Sequence, residues 1–191
     1  MTDKKQPIIS VRGTKVALGP YLFEHHEAFL TYIQEPEVSI YGSNTFDVRS
    51  PTSDAEEFKK TVKDAALFTI FELENLSMIG QSSLRGIDHR NGIATFGISI
   101  GRKEFWGKGY GTETIKLVLD YGFRFLNLHN IKLRTASFNE RGQGAYLKAG
   151  FKEIGRRRSA ILLNGQRYDE VYMDCVANEF IAPVPGWSIP F

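Results

Sequence analysis

The run Trp106-Gly107-Lys108-Gly109-Tyr110-Gly111-Thr112 places three glycines at alternate positions. It lies between a strand-like stretch, Ile93–Ile100, and a helical pattern that starts near Thr114. Closely spaced glycines let the main chain approach a ligand, and a helix start carries unpaired N–H groups and the positive end of a dipole. That combination holds phosphate, although a glycine-rich turn also serves as a plain connection. Counting excludes two nucleotide loops. A triphosphate loop places four residues between its glycines, then Lys, then Ser or Thr. Here five residues separate Gly101 from Gly107, and Gly109 follows Lys108. The dinucleotide pattern needs glycine where Thr112 stands, and it follows an early strand, whereas this loop lies past mid-chain.

The elements around the loop are legible from periodicity and turn chemistry. Ile8–Leu18 reads as a strand broken at Gly13-Thr14. Gly19-Pro20 opens a helix over Tyr21–Gln34, which Glu35-Pro36 ends. Ser39–Val48 reads as irregular and aromatic, with Tyr41 and Phe46. Ser53-Asp54-Ala55-Glu56 has the form of a capping box, with Phe58, Val62 and Ala65 at helical spacing. Strand-like runs at Leu67–Leu73, Met78–Leu84 and Ile93–Ile100, separated by turn clusters, predict an antiparallel meander. The helix after the loop carries Ile115, Val118, Leu119, Phe123 and Leu126 on one apolar stripe. A strand over Ile131–Ala136, a helix over Asn139–Ala149 and strands Phe151–Leu163 and Gln166–Val176 follow, the last two joined by the hairpin signal Asn164-Gly165. The order β-α-α-β-β-β-α-β-α-β-β predicts a mixed α+β fold with a mostly antiparallel sheet, not a parallel doubly wound one.

A chain of 191 residues suffices for one domain with a real core. Its boundaries read as 1–180, followed by an apolar tail over 181–191 with Trp187 and Phe191. The net charge of +2 is too small to argue for nucleic acid as a partner. The basic run Arg156-Arg157-Arg158 reads as a solvated strand edge. Cys175, the single cysteine, excludes an intramolecular disulfide, and its apolar neighbours make it a buried strand residue. Four histidines, only His25 and His26 adjacent, give no metal-ligand spacing. A polar start, Met1–Pro7, and no run near ~20 apolar residues predict a cytoplasmic protein without a membrane segment.

Phe105–Thr112, followed by Glu113 and the helix, resembles the coenzyme-A pyrophosphate loop of the GCN5-related N-acetyltransferases (GNATs), with Trp106 where that family usually carries Gln or Arg. Trp106 and the phrase Gly-Lys-Gly-Tyr-Gly-Thr-Glu are similar to the RimJ/RimL-like and spermidine-acetyltransferase branches. Asp120-Tyr121-Gly122-Phe123, Asn139-Glu140-Arg141, Tyr146–Phe151 and Asn164-Gly165-Gln166 with Tyr168-Asp169 resemble later parts of the same family, in the right order. The likeness is specific over 93–176 and thinner before it.

The resemblance implies a GNAT fold, with its sheet splayed at the coenzyme site, and an enzyme that moves an acetyl group from acetyl-CoA to an amine. The main chain of Gly107, Gly109, Tyr110, Gly111 and Thr112 would face the pyrophosphate, with Trp106 in the loop and charge from Lys108 and from Arg102 or Lys103. The strand backbone through Ile98 and Ile100 would meet the pantetheine and the thioester carbonyl, and Gly97 is consistent with a bulge or with room for a neighbour. Tyr146 matches the family's acid near the sulfur, and a tyrosine is protonated at neutral pH. Asn139 and Arg141 would contact the coenzyme, Asn139 also being a good helix N-cap. Gly142 and Gly144 are costly inside a helix and would let backbone approach the ligand.

The base is not carried over, because Thr95 stands where many relatives have glutamate. Glu72, Glu74, Asp88, His89, His25, His26 and ordered water are the alternatives. The acceptor, a small amine or a protein N-terminus, would be selected by the first helix, Tyr41–Phe46 and the last hairpin. Relatives are often dimers, so the resemblance admits a homodimer. A coenzyme-A-binding sensor without turnover is the reading from another class, supported by Thr95 and opposed by Tyr146.

Overall fold

Gly13 and Thr14 turn the first predicted strand back on itself. In the computed structural model, which describes residues 6–44, 46 and 65–183, Val11–Arg12 (β1) and Val16–Pro20 (β2) form an antiparallel hairpin. Gly19 and Pro20 therefore close a strand, in register with Thr69 and Phe68, and do not open the helix. The helix, α1, runs Phe23–Ile33 and buries Phe29 and Leu30. The expectation of irregular chain after it is corrected by a second helix, α2, Pro36–Ser43. Pro36 stands at a helix start, where its missing N–H costs nothing, and Asn44 ends the helix in the left-handed region at φ 64°. The Glu35-Pro36 pair thus marks both an end and a beginning. The capping box at 53–56, the residues up to 64 and the tail from 184 lie outside the described residues.

Ala65–Glu72 (β3), Met78–Asp88 (β4) and Ile93–Ile100 (β5) form the predicted meander. Tyr110–Arg124 (α3), Asn130–Ala136 (β6), Glu140–Ala149 (α4), Lys152–Leu163 (β7) and Gln166–Val176 (β8) follow. Asn164 and Gly165 turn β7 into β8 with φ of 50° and 77°, the left-handed pair a two-residue hairpin needs. The eight strands lie in one mixed sheet, ordered β1-β2-β3-β4-β5-β6-β8-β7. Every pairing is antiparallel except β5 with β6. β7 is an edge strand, and Arg156, Arg157 and Arg158 are exposed on it.

Helix α3 buries Ile115, Leu117, Val118 and Leu119 in the same core as Leu18, Ile70, Leu84 and Ile131. The helix lies directly on the sheet at Gly122, where a Cβ would stand 2.7 Å from Ile131 Cδ1 and 3.1 Å from Leu84 Cδ1. Cys175 is buried in β8, and desolvation pushes its thiol up to about 11.

The feature that makes a site is the parallel seam. β5 pairs with β6 only at Ile93–Thr95 against Asn130–Lys132, while β6 stays paired with β8 through Ala136. From Phe96 onward β5 keeps only β4 as a partner, so a wedge opens along Phe96–Ile100. Gly97 is not the cause. It sits in regular register opposite Ser83, and the irregularity between β4 and β5 falls at Arg85–Asp88. Gly97 instead makes room for its neighbour, since a Cβ there would lie 3.1 Å from Ser83 Oγ.

Candidate active site

Between β5 and α3 the chain makes a short 3-10 turn, Lys103–Phe105, and then the glycine loop. Gly107 and Gly109 hold φ of 72° and 90°, and Gly109 is the N-cap of α3. Glycine offers no capping side chain. The N–H groups of Tyr110, Gly111 and Thr112 find no acceptor among the described residues, and the first loop bond into the helix is Glu113 N–H to the Gly109 carbonyl at 3.0 Å. These donors point along the positive end of a 15-residue helix. Nothing lies within 4 Å of where a Cβ on Gly107 or Gly111 would sit.

The loop borders a cavity of about 900 Å³. Ile98 and Ile100 from the wedge, Trp106, Gly107, Gly109, Gly111 and Thr112 from the loop, and Asn139, Arg141 and Tyr146 from α4 all line it. Ten of the expected residues thus converge on one cavity; Lys108 and Tyr110 are not in its wall. Arg102 and Lys103 are also elsewhere. Arg102 pairs with Glu104, and Lys103 bridges Glu35 and Glu37 at the α1–α2 junction. The positive wall comes instead from Arg12, Lys15, Lys116, Arg141 and Lys148, set against Glu113 and Glu140. Sequence reasoning missed Arg12 and Lys15, which flank the turn at Gly13-Thr14, and Lys116 and Lys148, which lie on α3 and α4.

On α4, Asn139 is the N-cap, accepting the Gly142 N–H at 3.0 Å and donating to Thr135 Oγ1 at 3.1 Å. The two helical glycines separate in role. A Cβ on Gly142 would lie 2.8 Å from Asn139 Oδ1, so its smallness admits the cap, whereas Gly144 faces open cavity. The Arg141 guanidinium lies 3.6 Å from the Trp106 ring centre and 4.7 Å from that of Tyr41, joining α4, the loop and α2. Burial lowers the Arg141 pKa, and Tyr41 and Glu37 oppose that shift. Trp106 is fixed by its indole N–H donating to the Ile100 carbonyl at 2.8 Å.

Tyr146 is buried edge-on to Phe96 and Phe151. Its hydroxyl has no hydrogen bond among the described residues, and desolvation pushes its pKa up to about 12. None of the candidate bases lines the cavity. Glu72 accepts the N–H groups of Glu74 and Asn75 in a turn. Asp88 does the same for Arg90 and Asn91, and its hydrogen bonds to Asn91 hold its carboxyl below the usual range. His25 Nδ1 meets Thr69 Oγ1 at 2.8 Å, and His26 Nδ1 meets the Tyr21 hydroxyl at 3.2 Å. Thr95 lies within the three-residue seam, just before the wedge opens. Among the described residues no group of His, Cys, Asp and Glu is placed to hold a metal, and no helix is long and apolar enough to cross a membrane.

Residues 15–152 match the acetyltransferase (GNAT) domain family. The chain is 30% identical over 165 residues to p20 of Bacillus licheniformis, an uncharacterised N-acetyltransferase, covering 83% of this chain and 90% of that one. It is 34% identical over 112 residues to spermidine N(1)-acetyltransferase of Escherichia coli K12, covering 58% of this chain and 60% of the relative. The fold matches a crystal structure of spermidine N-acetyltransferase from Vibrio cholerae in complex with CoA and spermine, with a TM-score of 0.79 at 23% identity, over 87% of this chain and 98% of that one. An anion cradle at a helix start, opening into a wedge between two parted strands, is therefore found here in its family setting: the chain belongs to the GNAT acetyltransferases and is an acetyl-CoA-dependent N-acetyltransferase.

Proposed function

We propose that the chain acetylates a primary amine, on a small molecule or a protein N-terminus, by direct attack with both substrates bound, and that Tyr146 is the general acid. The observation that carries this reading is Tyr146, a residue of the wall of the cavity that the glycine loop borders, whose hydroxyl has no hydrogen-bond partner among the described residues and whose pKa burial pushes up to about 12. Acetyl-CoA supplies the acetyl group as a thioester. The N–H groups of Tyr110, Gly111 and Thr112 hold the diphosphate, and the main chain at Ile98 and Ile100 on the open side of β5 orients the pantetheine and the carbonyl. As the amine nitrogen bonds to the carbonyl carbon and the C–S bond breaks, Tyr146 donates its proton to the departing sulfur, and the proton released by the amine passes to ordered water, which returns one to Tyr146. Asn139 holds the start of α4 in place, and Arg141, braced on Trp106 and Tyr41, closes the cavity wall. The domain is taken as 1–180, and a buried, unpaired Cys175 fits a reducing compartment such as the cytoplasm.

A coenzyme-A-binding module without turnover is the second reading, favoured by one observation: no candidate base lies in the cavity wall. Thiol release from acetyl-CoA, measured across polyamines, other small amines and N-terminal peptides, separates the two. Polyamines come first, because the E. coli and V. cholerae relatives are named for spermidine. Amine-dependent release that falls sharply in Tyr146→Phe supports the enzyme with its acid. Tight binding with no release on any amine favours the module.

A further inference from the structure

Lys15 precedes Lys108 by 93 residues, yet its Nζ donates to the Lys108 carbonyl at 2.8 Å. The same ammonium lies 5.9 Å from the Tyr110 ring centre and 3.5 Å from where a Cβ on Gly109 would stand. It is brought there by Glu113, in the first turn of α3. The Glu113 carboxylate accepts the Thr14 N–H, the Thr14 hydroxyl at 3.0 Å and the Lys15 N–H at 3.0 Å. Gly13 permits this approach, since a Cβ there would collide with the carboxylate and stand 3.1 Å from Leu117 Cδ1. The β1–β2 turn is thus fastened onto the start of α3.

A carboxylate in the first turn of a phosphate-binding helix is electrostatically contrary, because it repels the anion the helix attracts. Here its lone pairs are engaged by the N–H and hydroxyl groups of the turn, and the Lys15 ammonium stands beside the loop as a counter-charge. The N–H groups of Tyr110–Thr112 stay open, because Glu113 bonds the hairpin and not its own helix.

We propose that Lys15 binds the diphosphate of the coenzyme and that Glu113 is its positioning residue, holding the β1–β2 turn against the glycine loop. The inference rests on the coenzyme-A reading of the cavity. Calorimetry with CoA, dephospho-CoA and pantetheine, the last titrated into the millimolar range, tests it on Lys15→Met, Lys15→Arg, Glu113→Gln and the Lys15→Met/Glu113→Gln pair. Losing one charge-assisted hydrogen bond raises Kd about tenfold. Lys15→Met is expected to weaken CoA and dephospho-CoA by that factor alike, to spare pantetheine, and to be largely rescued by Lys15→Arg. Glu113→Gln is expected to weaken the same two ligands, and the double variant to be no worse than Lys15→Met, because Glu113 acts through Lys15. Unchanged affinities, equal losses on all three ligands, a loss confined to CoA, or additive losses in the double variant would overturn the proposal. If Lys15→Met fails to fold by circular dichroism, Lys15→Gln carries the same comparison. Failure of the unmodified protein to bind CoA would overturn the coenzyme-A reading itself, a result distinct from all of these.

Discussion

Replacing Tyr146 with Phe removes one oxygen from a buried position and leaves the ring packed on Phe96 and Phe151. The magnitude follows from the environment. With its pKa pushed up to about 12, the hydroxyl is a weaker acid than an ordinary tyrosine. A thiol near pKa ~8.5 lies roughly 3.5 units below it, so complete transfer to a free thiolate runs uphill by about 5 kcal/mol. Donation therefore helps as charge develops on sulfur, and the gain belongs at the low end of general-acid catalysis, about 100-fold. The variant is expected to lose about that factor in kcat, with KM for acetyl-CoA within about twofold, in a continuous thiol-release assay. Because the hydroxyl has no partner among the described residues, its removal is expected to leave thermal stability unchanged or raise it by about 1 kcal/mol. The pH–rate profile of the unmodified protein should show no descending limb from Tyr146 below pH ~11. Full activity in Tyr146→Phe, or a kcat loss matched by an equal loss of folded protein, would refute the assignment.

Three further outcomes follow from single features. Gly111→Leu fills open cavity beside the unpaired helix donors and is expected to weaken CoA by more than about tenfold while leaving the melting temperature within a few degrees; unchanged affinity by calorimetry would place the coenzyme elsewhere. Cys175 and Tyr146 both have raised pKa values in the folded state, so each binds more protons folded than unfolded over its window. Stability should therefore fall as pH rises, by up to about 2–3 kcal/mol between pH 9 and 11 from Cys175 and similarly between 10 and 12 from Tyr146; urea melts of Cys175→Ala should lack the first part. Asp120 is buried on α3, where among the described residues Oδ1 has no partner and Oδ2 meets Arg124 at 3.1 Å, and desolvation raises its pKa. Stability is then lost as pH rises past the ordinary carboxylate range, so Asp120→Asn should be more stable by about 1–2 kcal/mol at pH 7 and nearly neutral at pH 3, measured by chemical denaturation.

What the sequence made legible was local. The glycine loop, the meander and the Asn164-Gly165 hairpin each depend on residues close in the chain, and their positions agree with the structure to within a few residues at each end. Helix α2 was missed because eight residues with two buried positions give no stripe, and Pro36 is read as a stop as readily as a start. The contact of Glu113 with Thr14 spans 99 residues and leaves no periodic trace. Arg102 and Lys103 look like loop cations by proximity in sequence, yet partners from 104 and from 35 and 37 claim them first. Gly97 shows the same limit, since a strand glycine reports a missing Cβ but not whether ligand, bulge or neighbouring hydroxyl takes the space.

The sheet's parallel seam is three residue pairs long. Mechanically, the eight strands are two half-sheets, β1–β5 and β6–β8–β7, laced by that short seam and bridged by the packing of α3 on Leu84 and Ile131 and of Tyr146 on Phe96. Such halves can open as separate cooperative units at less than the free energy of global unfolding. The chemistry lies at the join, so activity should disappear under mild urea or heat while most of the amide protection in β3 and β4 persists. A ligand lodged in the wedge would act as a splint as well as a reactant, raising the opening free energy in proportion to the logarithm of its concentration over Kd.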